Sequence, residues 1–164
     1  MKKIALLLLL HSTGSLFAVH AHDIGHYDGP NVAVAHSVRV PAGSELIFLS
    51  GIVADAADTS APPGSVERFG DTATQVRSIL AKLQRQLAAG GLGLADIVKM
   101  NVYVLGDPRK EGAVDLTGLM GAYTEYFGTS QGNLPARTTL QVAGLRVPGV
   151  LVEVEVIVAH RADH

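Results

Sequence analysis

Arg137, Glu153 and Glu155 are the residues of this chain whose types and spacing could do chemistry. They fall in the stretch 134–160, where two strand-like runs, 138–143 and 151–159, flank a Gly- and Pro-bounded break at 144–149. Strand side chains alternate, so Val152, Val154, Val156 and Val158 share one face. Glu153 and Glu155 share the other with Leu151 and Ile157. Two carboxylates on an otherwise apolar face are costly to bury without a partner. Arg137 opens the preceding strand, directly after Pro135-Ala136, and is the cationic candidate for that neighbourhood. A guanidinium grips a carboxylate through two parallel hydrogen bonds, which makes arginine the usual residue for binding a small organic acid. The same three residues fit a structural ion pair at a subunit contact equally well.

Other candidates carry less. His20, His22 and His26 invite a metal reading, but no carboxylate or cysteine stands at ligand spacing, so no metal site is expected. Phosphate-cradling glycine loops of the Walker type and His-Glu-x-x-His are missing. Ser50-Gly51 has no base nearby in sequence, so a serine nucleophile is unsupported. Lys99, Asn101 and Tyr103 alternate onto one strand face and read as lining or interface residues.

The chain of 164 residues has the length of one domain, a formal net charge of −2 and no cysteine. That charge gives no argument for nucleic acid or an anionic membrane surface. The missing thiols exclude disulfides, thiolate metal sites and cysteine nucleophiles. Residues 1–21 read as an export signal: Lys2-Lys3, a greasy run, then Val19-His20-Ala21 as a small-x-small cleavage site. The expected product is an exported, periplasmic protein with no membrane attachment after cleavage; the alternative reading is an uncleaved N-terminal anchor. Its mature start, 22–30, is flexible, and a single domain spans 31–161.

The elements that must position Arg137 and the glutamates follow from periodicity. Residues 31–40 read as an edge strand and 46–49 as a buried one, with a surface loop over 54–65. Thr72 and Gln75 match a capping box with Asp71 before it. Ala73, Val76, Ile79, Leu80, Leu83 and Leu87 then recur at helical spacing until Gly90-Gly91. Arg77, Lys82 and Arg85 read as its solvated face. Residues 97–105 form a strand, and 113–127 a second helix weakened by Gly118 and Gly121. This order gives an α+β sheet with helices on one face. The other face, which carries Glu153 and Glu155, is left for oligomerisation to cover.

Several of these segments together resemble one family. They are Leu49-Ser50-Gly51, the run 94–99 ahead of a strand, Tyr123-Thr124-Glu125-Tyr126-Phe127, Leu134-Pro135-Ala136-Arg137-Thr138, and Leu151-Val152-Glu153-Val154-Glu155. Their order is similar to that of the Rid family of reactive intermediate deaminases, also called the YjgF family, over about residues 30 to 160.

The resemblance implies a chorismate-mutase-like α+β fold in a homotrimer, with three sheets lining a barrel and ligand clefts between subunits. It implies cofactor-free hydrolysis of small 2-imino acids or their enamines to 2-oxo acids and ammonia. The carboxylate-gripping arginine falls on Arg137 and the water-positioning glutamate on Glu153. The cleft serine falls on Ser50, and the residue whose backbone lies near the ligand on Thr138. A cleft tyrosine is replaced here by Asn31, a helix asparagine by Met120 and a cysteine by Thr139. Two other readings stand beside deamination: a non-catalytic binder of small carboxylates, and a chaperone-like trimer.

Overall fold

The Val-x-Val-x-Val alternation ahead of His160 produces the central strand of the molecule. The structure, a computed structural model, describes residues 24–28, 34–128 and 134–161. The expected export signal and Asn31 lie outside the described residues. Strands β1 (Gly25–Asp28) and β2 (Ala35–Arg39) pair antiparallel in a small sheet of their own. The second sheet holds β3 (Glu45–Val53), β4 (Ile97–Val104), β5 (Ala136–Gln141) and β6 (Val152–His160), in the order β3-β6-β4-β5. β6 runs antiparallel to both neighbours, whereas β5 lies parallel to β4 at the edge.

Among the described residues three α-helices accompany the sheets: the short α1 (Val66–Phe69), α2 (Thr72–Ala89) and α3 (Leu116–Tyr123). The apolar stripe of α2, with Ile79, Leu80, Leu83 and Leu87 buried, packs with α3 in one core with Met100, Val102, Val104 and the even-numbered valines of β6. The expected α+β sheet with helices on one face is what forms. Among the described residues no helix is long and apolar enough to cross a membrane.

Several local expectations change. The run 46–49, expected as a buried strand, lies in β3 with Leu46 and Phe48 exposed, and the helix expected over 113–127 is Leu116–Tyr123. The strand expected over 31–40 is Ala35–Arg39, and the lead-in read as flexible contributes β1. His26, in that lead-in, has its Nδ1 2.6 Å from the Leu134 carbonyl. The cap of α2 is Asp71 itself, whose carboxylate accepts from the Thr74 amide at 2.8 Å. Gln75 is buried instead of capping: its amide donates to the Gly70 and Gly149 carbonyls and accepts from the Leu151 amide at 2.7 Å. The face of α2 read as solvated is paired, Arg77 in a two-pronged grip on Glu125 and Lys82 on Asp55 and the Val53 carbonyl. These pairs are partly or largely exposed, so their contribution to stability is small.

Candidate active site

Arg137 sits opposite Met100 in the parallel β4–β5 pair, which turns its side chain to the helix side of the sheet. Its guanidinium carbon lies 4.2 Å from the centroid of the Tyr123 ring on α3. Nη2 donates to the Met120 sulfur at 3.1 Å. Tyr123 is itself held by stacking on Phe127, with ring centroids 4.8 Å apart. The cation thus rests on a π face and a thioether, two neutral and weak acceptors. It forms no ion pair among the described residues. Burial draws the guanidinium below its ordinary pKa, with Tyr123 opposing the shift. It remains charged at any physiological pH.

Three buried polar atoms around this point have no hydrogen-bond partner among the described residues: Arg137 Nη1, the Tyr123 hydroxyl and Thr139 Oγ1. Burial pushes the Tyr123 phenol up to about 12, the Arg137 charge offsetting part of the rise, so it stays a neutral donor. Buried polar groups are normally satisfied, and unpaired ones cost roughly 1–3 kcal/mol each. Three such atoms gather here, one of them on a cation that forms no ion pair among the described residues.

The glutamates lie on the opposite face. Glu155 pairs in register with Asn101, and Glu153 with Tyr103. Glu155 Oε1 accepts from Asn101 Nδ2 at 2.7 Å and from the Tyr103 hydroxyl at 2.8 Å, which holds its carboxyl below the usual range. The same contact raises the Tyr103 phenol. Lys99 on this face donates to Thr138 Oγ1 at 2.9 Å. Glu153 has no hydrogen bond or ion pair among the described residues and lies against Gly51.

Sequence-predicted residues therefore come together in two groups. Ser50, at the β3 bulge opposite Glu155, is exposed, and Thr138, beside Asn101 and bonded by Lys99, shares the face of the glutamates. Arg137 stands alone on the other face, so the intrachain neighbourhood of Arg137 with the two glutamates does not form. The register explains it: Arg137 falls beside buried Met100, one residue out of phase with Thr138 beside Asn101. The sequence offers Tyr123 as part of a family segment and Met120 in place of a family asparagine, and neither reading sets them against Arg137. Among the described residues no group of three or more His, Cys, Asp or Glu could hold a metal ion.

Comparison with known proteins agrees with this architecture. The family model described as Endoribonuclease L-PSP matches residues 29–160, and the chain belongs to that family, known also as the YjgF or Rid family. A RutC family protein of Pyrococcus horikoshii is 30% identical over 131 residues, covering 79% of this chain and 90% of that one. TdcF of Escherichia coli K12, provisionally named a reactive intermediate deaminase, is 28% identical over 118 residues, covering 71% and 81%. The crystal structure of E. coli TdcF with bound serine superposes with a TM-score of 0.55 at 28% identity, covering 81% of this chain and 90% of that chain.

Proposed function

We propose that this protein hydrolyses small 2-imino acids, or the enamines that tautomerise to them, to 2-oxo acids and ammonia without a cofactor. The observation that carries the reading is the buried Nη1 of Arg137, without a partner among the described residues, on a cation to which those residues supply no carboxylate. A substrate carboxylate would complete it through a charge-assisted hydrogen bond. The serine in TdcF of E. coli supports a ligand of that size and type.

An imine carbon is already electrophilic, so orientation and a polarised water are sufficient help. Arg137 fixes the acid. Glu153, without a hydrogen-bond or ion-pair partner among the described residues, takes a proton from water as the water oxygen bonds to the carbon of the N-protonated imine, which gives a neutral carbinolamine. Its C–N bond then breaks as the nitrogen takes that proton back from Glu153 and leaves as ammonia, and the hydroxyl proton passes to solvent, leaving the 2-oxo acid.

Because Arg137 and Glu153 lie on opposite faces of one sheet, one chain cannot present both to one substrate. A second copy has to supply one of them, which is the reason to propose a homotrimer with clefts between subunits. Ser50 and Thr138 would line the cleft from the open face. The expected export signal would place this activity in the periplasm, a point decided by N-terminal sequencing of protein from that fraction.

The test uses imines generated by an amino-acid oxidase and trapped by semicarbazide. Wild-type protein should lower semicarbazone formation, and Arg137→Ala should lose roughly 10²-fold or more of that kcat/KM. Equal rates would end this reading. Saturable binding of a 2-oxo acid, lost in Arg137→Ala and without turnover in wild type, would instead establish a carboxylate binder.

A further inference from the structure

We propose that Gly51 is a positioning residue for Glu153: the space left by its missing Cβ is the seat of the Glu153 carboxylate. The inference deepens the deaminase reading and rests on it for its kinetic readout, but not for its spectroscopic one.

The argument starts at the bulge in β3. Leu49 pairs with Val156 and Ile52 with Val154, so two residues, Ser50 and Gly51, face the single residue Glu155. A bulge of this kind bends the strand and re-aims its side chains. Glycine at a bulge is often required by a positive φ, but Gly51 is not among the glycines with positive φ. The backbone would accept any L-residue. The space would not. A Cβ built on Gly51 falls 2.8 Å from Glu153 Cδ and 3.1 Å from Cγ, with Oε1 closer still, and all three nearest atoms belong to that one side chain.

Other crowded glycines differ in kind. A Cβ on Gly106 would strike the backbone of Gly112, and one on Gly149 the backbone of Ser65. Those positions protect the fold. At Gly51 the obstructing group is the far end of a flexible side chain, which can move without disturbing the sheet. Among the described residues Glu153 also has no hydrogen bond that would hold it against displacement, in contrast to Glu155 with its two donors. Contact with Gly51 is therefore what places it. A methyl group there leaves the protein folded and Arg137, across the sheet, untouched, while shifting the carboxylate by an ångström or more.

The experiment compares wild type with Gly51→Ala, Glu153→Asp, the double variant Gly51→Ala/Glu153→Asp, and Gly144→Ala as a control where a Cβ meets nothing within 4 Å. Misplacement by about 1 Å costs on the order of 10²-fold, so kcat for imine hydrolysis in Gly51→Ala should fall roughly 10- to 100-fold. KM and the Kd for a 2-oxo acid should stay within about twofold, since Arg137 carries the binding. Shortening the acid by one methylene relieves the clash, so the double variant should exceed Gly51→Ala in kcat. In protein labelled with 13Cδ-glutamate, the Glu153 resonance, assigned by its loss in Glu153→Gln, should move in Gly51→Ala and stay put in Gly144→Ala.

Unchanged kcat in Gly51→Ala, or a Glu153 resonance that does not move, would overturn the proposal. If wild-type protein itself shows no imine hydrolysis, the deaminase reading fails, and the resonance alone decides whether Gly51 seats the carboxylate.

Discussion

Arg137 and Glu155 stand on opposite faces of one sheet and are provided for in opposite ways. Glu155 finds two donors, Asn101 and Tyr103, on the strand beside it, and its charge is stabilised within the chain. Arg137 finds an aromatic ring and a sulfur, and keeps a buried nitrogen without a partner. A charge completed by its own chain does structural work. One that is left incomplete is set aside for something that arrives later. By that criterion Glu153 belongs with Arg137, although it is two residues from Glu155 on the same strand face.

The sharpest way to break this contrast is subunit complementation. Arg137→Ala and Glu153→Gln should each be nearly inactive alone. If each cleft takes its arginine and glutamate from different copies, unfolding and refolding an equal mixture of the two variants restores wild-type clefts in about a quarter of the sites. Recovery of trapped-imine turnover checks this, and no recovery would mean that one chain supplies both groups.

Next in size is the pair of glutamates. Glu153→Gln should lower kcat by about 10²-fold or more, as for loss of a positioned general base. Glu155→Gln should leave kcat within a few-fold. Equal losses in steady-state assays would erase the distinction drawn between them.

A pH effect tests Glu155 on the stability side. Its carboxyl pKa is depressed in the folded chain by the Asn101 and Tyr103 hydrogen bonds. The stabilisation is therefore complete above the ordinary carboxylate value of 4.5 and is lost as pH falls through the lower folded value. Urea unfolding across that window should show wild type and Glu155→Gln converging toward acid pH and separating above it.

The smallest effect is expected at Tyr123. Tyr123→Phe keeps the ring under Arg137 and removes an unpartnered hydroxyl, so stability should be unchanged or higher by up to about 1 kcal/mol in denaturant melts. A marked loss of stability would show that the hydroxyl has a partner after all.

Much of this was legible in the sequence, and the limits are physical. The alternation of β6 and the apolar stripe of α2 are local patterns, and both elements formed where periodicity put them, within a residue or two at their ends. The face taken by Arg137 is not local. It depends on register between β4 and β5, two strands with a helix between them in sequence, and a slip of one residue reverses every side chain. The sequence order of Tyr123, Met120 and Arg137 says nothing of a guanidinium resting on α3. The bulge that seats Glu153 on Gly51 was equally hidden, because the extra residue appears only once two strands are paired.

Gln75 has a consequence for how the molecule comes apart. One side-chain amide of α2 bonds the carbonyls of Gly70 and Gly149 and the amide of Leu151, the residue that leads into β6. Helix and strand are riveted at that point, so β6 cannot fray from its leading end while α2 stays in place. The Leu151 amide should accordingly exchange with solvent only in openings that also release the helix, and Glu153, two residues on, inherits that rigidity.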